Sequence, residues 1–151
     1  MRNIVSLLVG IALGLAGCGG TPVPTPTPTM APAIQPLPPG DAVHGEALFR
    51  QTVIGKKPEP GCITCHSLAP GVVLVGPALA GVATRSVETI QQPAYTGQAT
   101  TVADYLQESI MAPNTYIAAG FTPDLMRPTF ASELSTQEVA DLVAFLLTLQ
   151  D

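Results

Sequence analysis

The sequence predicts an all-α domain of about four to five helices over residues 41–151. Two segments and one absence lead to that prediction. Residues 135–149 open on Ser135 and Glu138, the spacing of a capping box, in which each side chain satisfies the other residue's amide. Val139, Leu142, Val143, Leu146 and Leu149 follow at steps of three and four, one apolar stripe on a helix. Asp141 and Thr148 fall off that stripe. Residues 41–51 repeat the theme: Asp41 is a favoured N-cap, and Val43, Ala47 and Leu48 recur at helical spacing. No stretch alternates apolar and polar residues with period two, so no half-buried strand is expected.

The chain has 151 residues, with six basic and eleven acidic side chains and a net charge of −5. No basic run stands out, which excludes the electrostatic footprint of a nucleic-acid binder. Aromatics make up only 5% and Trp is absent. A small core with so few aromatics gains modest burial energy, and an added stabiliser is expected.

Residues 1–17 read as a signal peptide, with Arg2 as the positive region and residues 4–16 as the apolar one. The apolar run is shorter than the roughly 20 residues that span a bilayer as a helix. Leu15-Ala16-Gly17-Cys18 resembles the lipobox of bacterial lipoproteins. That resemblance implies removal of residues 1–17 and lipidation of Cys18 as the new N-terminus. The chain is then held by lipid at the extracytoplasmic face of the bacterial cell membrane. Residues 19–40 contain eight prolines, which remove amide donors and fix φ. Residues 18–40 are therefore expected to form a Pro/Thr-rich tether, extended at about 3.1 Å per residue.

Within 41–151, residues 101–111 predict a further helix with Val102, Tyr105, Leu106 and Ser109 along one side. Pro113, Pro123 and Pro128 make the next segment a loop. Residues 52–60, with Lys56 and Lys57, read as a solvated surface loop, the alternative being a dock for an acidic partner.

Cys62-Ile63-Thr64-Cys65-His66 carries the chemistry. C-x-x-C-H is the spacing of covalent haem attachment. Each thiol adds to one vinyl group of the porphyrin, and the next histidine lies where its imidazole reaches the iron. A redox C-x-x-C would want a βαβ context, which is not visible. A structural zinc site needs four ligands, and His44 would have to be recruited as the fourth. The expected cofactor is one haem c with its iron, and it also supplies the missing stabiliser. A thioether as second axial ligand raises the potential. Met126, in the proline-punctuated loop, is the first candidate. Met111 ends a predicted helix and is expected in the core, and His44 is expected to be a solvated residue of the first helix.

With these motifs in place, residues 41–151 resemble the class I monohaem cytochromes c, whose fold packs about four to five helices around the haem. The resemblance implies that Gly45 and Phe49 meet Phe145 where the first and last helices cross. It implies that in "VGPALAG" at 75–81 the carbonyl of Pro77 accepts the proton of His66, and that Arg85 meets a haem propionate, the alternative being an ordinary exposed helix residue. "YLQESIMAPNTYIAAGFTPDLMRPTF" at 105–130 is similar to the cytochrome domains of caa3-type oxidases, with Met126 on the ligand position and Arg127 as a departure before Pro128. Monohaem lipoprotein subunits of alternative complex III are similar as well. The function implied is single-electron transfer between redox partner proteins of a respiratory or photosynthetic chain, as a tethered carrier or a complex subunit. No small-molecule substrate is implied. The alternative is a haem-based enzyme or gas sensor with a displaceable distal ligand, but no distal acid–base residue is identifiable near the ligand loop.

Overall fold

The computed structural model describes residues 34–151. The expected signal peptide, the lipidation site Cys18 and the first part of the tether lie outside the described residues. Among the described residues, six helices and a two-stranded sheet follow in the order α1 (Ala42–Phe49), β1 (Val53–Ile54), β2 (Glu59–Pro60), α2 (Cys62–Cys65), α3 (Val82–Thr89), α4 (Val102–Met111), α5 (Phe130–Glu133) and α6 (Thr136–Leu147). No helix among them is long and apolar enough to cross a membrane.

The caps set the helix starts. Asp41 accepts from the amides of Val43 and His44 at 2.9 and 3.2 Å, which opens α1. At α6 the Ser135 amide donates to Glu138 at 2.8 Å and the Glu138 amide donates to Ser135 Oγ at 3.2 Å. Thr101 and Asp104 cap α4 in the same reciprocal way, both bonds at 3.1 Å.

Helix α1 packs more extensively on α6 than on any other helix, α4 also lies on α6, and α3 touches both α4 and α6. Gly45 is what lets α1 come so close. A Cβ there would overlap the carbonyl of Asp141 and sit 2.9 Å from the Cβ of Phe145. Phe49 then meets Phe145 with ring centroids 5.5 Å apart at 52°, a tilted pair. Leu48, Leu106, Ile110, Leu142 and Leu146 continue one core cluster around them.

Three expectations need correction. Asp141 is 2% exposed rather than off the packed side of α6. The close approach of α1 covers a wider arc of α6 than its apolar stripe marks. Asp141 accepts from the Asp41 amide at 2.8 Å and from Gln137 at 2.9 Å. Its second oxygen accepts a hydrogen bond from His44 Nδ1 at 2.6 Å, so His44 is a partner to a buried carboxylate rather than simply solvated. Residues 52–60 are mostly exposed, as expected of a solvated segment, but they are not an irregular loop. They form an antiparallel pair with Val53 opposite Pro60 and Ile54 opposite Glu59. Ile54 enters the core, and the amides of Lys56 and Lys57 donate to the carbonyl and carboxylate of Glu133 at 3.2 and 2.7 Å. Two-residue strands are too short to print a period in the sequence.

Burial pushes Asp141 up, but the hydrogen bonds from Asp41, His44 and Gln137 outweigh it and hold the carboxyl below its usual range. The Asp141 contact in turn raises His44.

Gly45→Val is expected to cost about 1–3 kcal/mol or more by overpacking the α1–α6 crossing. A lower denaturant midpoint of the haem-loaded protein checks it, and an unchanged midpoint would show that the crossing has slack. The pH dependence follows from the pair. His44 is raised above its ordinary 6.5, so its contribution is complete below that value and is lost as pH rises through the raised folded value. Asp141 is lowered below 3.8, so its contribution is present above that value and is lost as pH falls through the lowered one. The stability margin of wild type over His44→Gln should therefore be larger at about pH 5.5 than at about pH 9. An equal margin at both values would remove the pair from the pH response.

Candidate functional site

Helix α2 is a single turn that presents Cys62 and Cys65. The Gly61 amide donates to the Thr52 carbonyl at 2.9 Å, Thr64 Oγ1 donates to the Gly61 carbonyl at 2.6 Å, and the His66 amide closes the turn on the Cys62 carbonyl at 2.9 Å. At His66 the backbone becomes extended, with φ −120° and ψ 134°, and the chain leaves the turn.

Residues 67–79 then fold back and clasp the imidazole. The Leu79 amide donates to the Ser67 carbonyl at 2.8 Å, and the Gly76 amide donates to the Cys65 carbonyl at 2.9 Å. His66 Nδ1 lies 2.9 Å from the Pro77 carbonyl, which can only accept, so Nδ1 carries the proton and Nε2 is the basic nitrogen. Gly76 lies against the ring, where a Cβ would come within 2.5 Å of Cε1 and 3.0 Å of Nε2. Burial pushes the pKa of His66 down, against the opposing effect of the Pro77 bond, and so favours the neutral imidazole that binds metal. Burial also pushes the Cys62 thiol up to about 11.

Cys62, Cys65 and His66 open into a cavity of about 390 Å³. Its walls are mainly apolar: Phe49 of α1, Val82 of α3, Leu106 and Ile110 of α4, and Leu142 and Leu146 of α6. Met126 lines the same cavity, whereas Met111 and His44 do not. Met111 packs against the core cluster at the end of α4. The Met126 loop is pinned by a reciprocal pair: Asn114 Nδ2 donates to Asp124 Oδ1 at 2.7 Å, and the Asp124 amide donates to Asn114 Oδ1 at 2.9 Å. Asp124 holds φ at 65°, in the left-handed region that Asp tolerates better than most residues. Arg85 stands on the cavity wall with its guanidinium on the carbonyls of Ala80 and, at 2.7 Å, Ala78.

The residues present fit a covalently held porphyrin. Apolar walls, two thiols on one turn, a clasped imidazole with one basic nitrogen and a thioether line one space. Thr129 Oγ1, also on the wall, is buried without a hydrogen-bond partner, as expected of a hydroxyl that meets a polar group of the cofactor. A second groove of about 540 Å³, between residues 34–40 and helices α4 and α6, is lined by no cysteine, histidine or methionine.

One cluster escaped the sequence reading. Tyr95, Tyr105 and Tyr116 pack as a triad with centroids 5.4–6.4 Å apart, and the latter two line the cavity. Glu108, 6% exposed, accepts from the Tyr95 hydroxyl and from the Gln98 amide, the latter at 2.9 Å. The Ala99 amide donates to Tyr95 Oη at 3.1 Å. Burial, reinforced by Glu108, pushes the Tyr95 hydroxyl well up, so it stays a donor. Tyr105 and Glu108 are three apart on α4, a spacing the sequence offered, but the partner Tyr95 sits on a loop that no periodicity marks.

The cytochrome c family profile matches residues 42–150, from α1 to beyond the end of α6. A cytochrome c2 of Blastochloris viridis is 29% identical over 123 residues, spanning 78% of this chain and 84% of that protein. The match runs through the C-x-x-C-H turn, the clasp and the cavity they open into, so the chain belongs to the cytochrome c family, a class I monohaem electron carrier with covalently bound haem c and its iron.

Proposed function

We propose that this protein is a lipid-anchored electron carrier at the extracytoplasmic face of a bacterial membrane. It passes single electrons between redox partner proteins of a respiratory or photosynthetic chain, as a tethered carrier or a subunit of a larger complex. Cys62 and Cys65 would hold the haem by thioether bonds, and His66 and Met126 would bind its iron. The observation that carries the electron-carrier part of this reading is that Met126 shares the cavity of Cys62, Cys65 and His66, while the competing candidates Met111 and His44 lie outside it.

When bound, the haem iron supplies a one-electron Fe(III)/Fe(II) couple. The chain's own residues hold its surroundings constant through that change. Pro77 and Gly76 keep the imidazole of His66 from turning, and the hydrogen bond to Pro77 raises its basicity. The Asn114–Asp124 pair steadies the loop that carries Met126. A sulfur ligand favours the reduced state, and the apolar walls from α4 and α6 exclude water, so both raise the potential. Arg85 fixes a positive charge on the wall, suited to the carboxylate edge of a porphyrin. The tether at 18–40 and lipid on Cys18 keep the domain within reach of partners in the same membrane.

Met126→Ala should lower the midpoint potential and remove the sulfur–iron charge-transfer band, while Met111→Ala keeps both. The reverse pattern would assign Met111 as the ligand. Cys18→Ser should move haem-stained protein from the membrane fraction to the soluble one. Full retention would mean that the uncleaved apolar segment, rather than lipid, holds the chain.

A further inference from the structure

Val72, Val73, Leu74 and Val75 follow one another along one loop and are 44%, 60%, 49% and 50% exposed. Exposed apolar side chains are ordinarily scattered singly, and a contiguous set marks an interaction surface. The loop is not loosely held. The Val72 amide donates to Ala69, the Leu74 amide to Gly76, and the Gly76 amide to the carbonyl of Cys65, at 3.3, 3.2 and 2.9 Å. The crest is thus bonded through its base to the haem-attachment turn. Val75 and, from the Met126 loop, Leu125 line the haem cavity, so a bound haem would share their exposed surface, while Val72, Val73 and Leu74 lie outside it. The apolar crest is continuous with the rim of the cavity.

The charge around this rim is as telling as the side chains. Residues 60–84 contain no Asp, Glu, Lys or Arg. The charged residues that line the cavity are Glu59, Arg85 and Arg127, apart from His66. Arg127 and Glu59 face each other at 3.7 Å, and Arg85 is engaged with backbone carbonyls. Of the acidic residues only Glu59 lines the cavity, and Asp124, beside Leu125, accepts from the Asn114 side chain.

We propose that Val72–Val75, with Leu125, is the docking surface for a redox partner protein whose own contact face is apolar and uncharged at its centre. The proposal rests on the electron-carrier reading and adds the chemistry of the partner. A charged partner face would lose water against this crest and find no opposite charge, which is costly. A lipid surface is a poorer match, because interfacial elements combine apolar residues with Trp or Tyr and with Lys or Arg, and the crest has none of these. Docking of this kind gains little from long-range steering, so its rate should respond weakly to salt.

The test uses the haem-loaded full chain and the uncharged double variant Val73→Ser/Leu74→Ser, at two exposed residues that do not line the cavity. Oxidation of the reduced protein is followed with two oxidants: washed membranes of the producing bacterium depleted of this chain, and ferricyanide. We expect the wild-type rate with membranes to change less than about threefold between about 20 and 500 mM salt. The variant should lose about tenfold with membranes and keep its ferricyanide rate. A steep salt dependence with an unaltered variant rate overturns the proposal and puts docking on charged residues elsewhere. In the Cys18→Ser background, loss of co-sedimentation with phosphatidylcholine vesicles on making the variant would make the crest a lipid element instead. A wild-type dimer that the variant dissolves in sedimentation analysis would make it a self-association face. A wild type oxidised by neither reagent would sink the electron-carrier reading itself, an outcome distinct from all of these.

Discussion

Helices α1 and α6 cross where Gly45 lies against the carbonyl of Asp141, and much of the molecule follows from how closely they meet. At that separation Phe49 and Phe145 share a tilted ring contact, and their neighbours Leu142 and Leu146 reach past them to form a wall of the haem cavity. A chain with few aromatics thereby concentrates its largest side chains where they serve both core and cofactor. The same approach buries Asp141, which is tolerable because an amide, an amide side chain and an imidazole all donate to it. The crossing is thus held by apolar contact on one side and by a satisfied carboxylate on the other.

Around this frame the haem site is assembled from short pieces that have little stability of their own. Helix α2 is one turn, too short to persist without tertiary support. It is held by the strand pair before it, through the bond from Gly61 to Thr52, and by the clasp after it, through the bond from Gly76 to Cys65. The strand pair is in turn fastened to α5 by Glu133. Covalent attachment of the porphyrin ties the turn to the walls contributed by α1, α3, α4 and α6. The cofactor and the protein therefore complete one core between them, consistent with a small domain that is poor in aromatic residues.

The arrangement suits electron transfer because the polar groups near the cavity are fixed before any charge changes. The imidazole is held by a carbonyl and backed by a glycine, the methionine loop is pinned by two bonds between Asn114 and Asp124, and the tyrosine triad is locked by Glu108. Little has to move when one electron arrives or leaves. The outer rim, where the apolar crest adjoins the cavity, is held by the same kind of backbone bonds and is the part left facing a partner.

The helices at the two ends were legible in the sequence because caps and apolar steps are local signals that a few residues carry. The haem motif was legible because its chemistry demands two thiols and an imidazole within five positions, and Met126 stood out by its place in a proline-broken loop. Other features depended on elements distant in sequence. The burial of Asp141 and its bond to His44 arise from a contact between residues 97 positions apart. The strand pair at 53–60 is held because Ile54 enters the core and Glu133 bonds the Lys56 and Lys57 amides, and two residues cannot print a period. Tyr95 joins Glu108 from a loop whose position is set by packing rather than by pattern. The sequence by itself determined which cofactor the chain holds and which helices frame it, since those choices are written in neighbouring residues. Only the tertiary structure decided which polar groups are buried together and which apolar ones are left facing outward, because both follow from how closely separate elements approach.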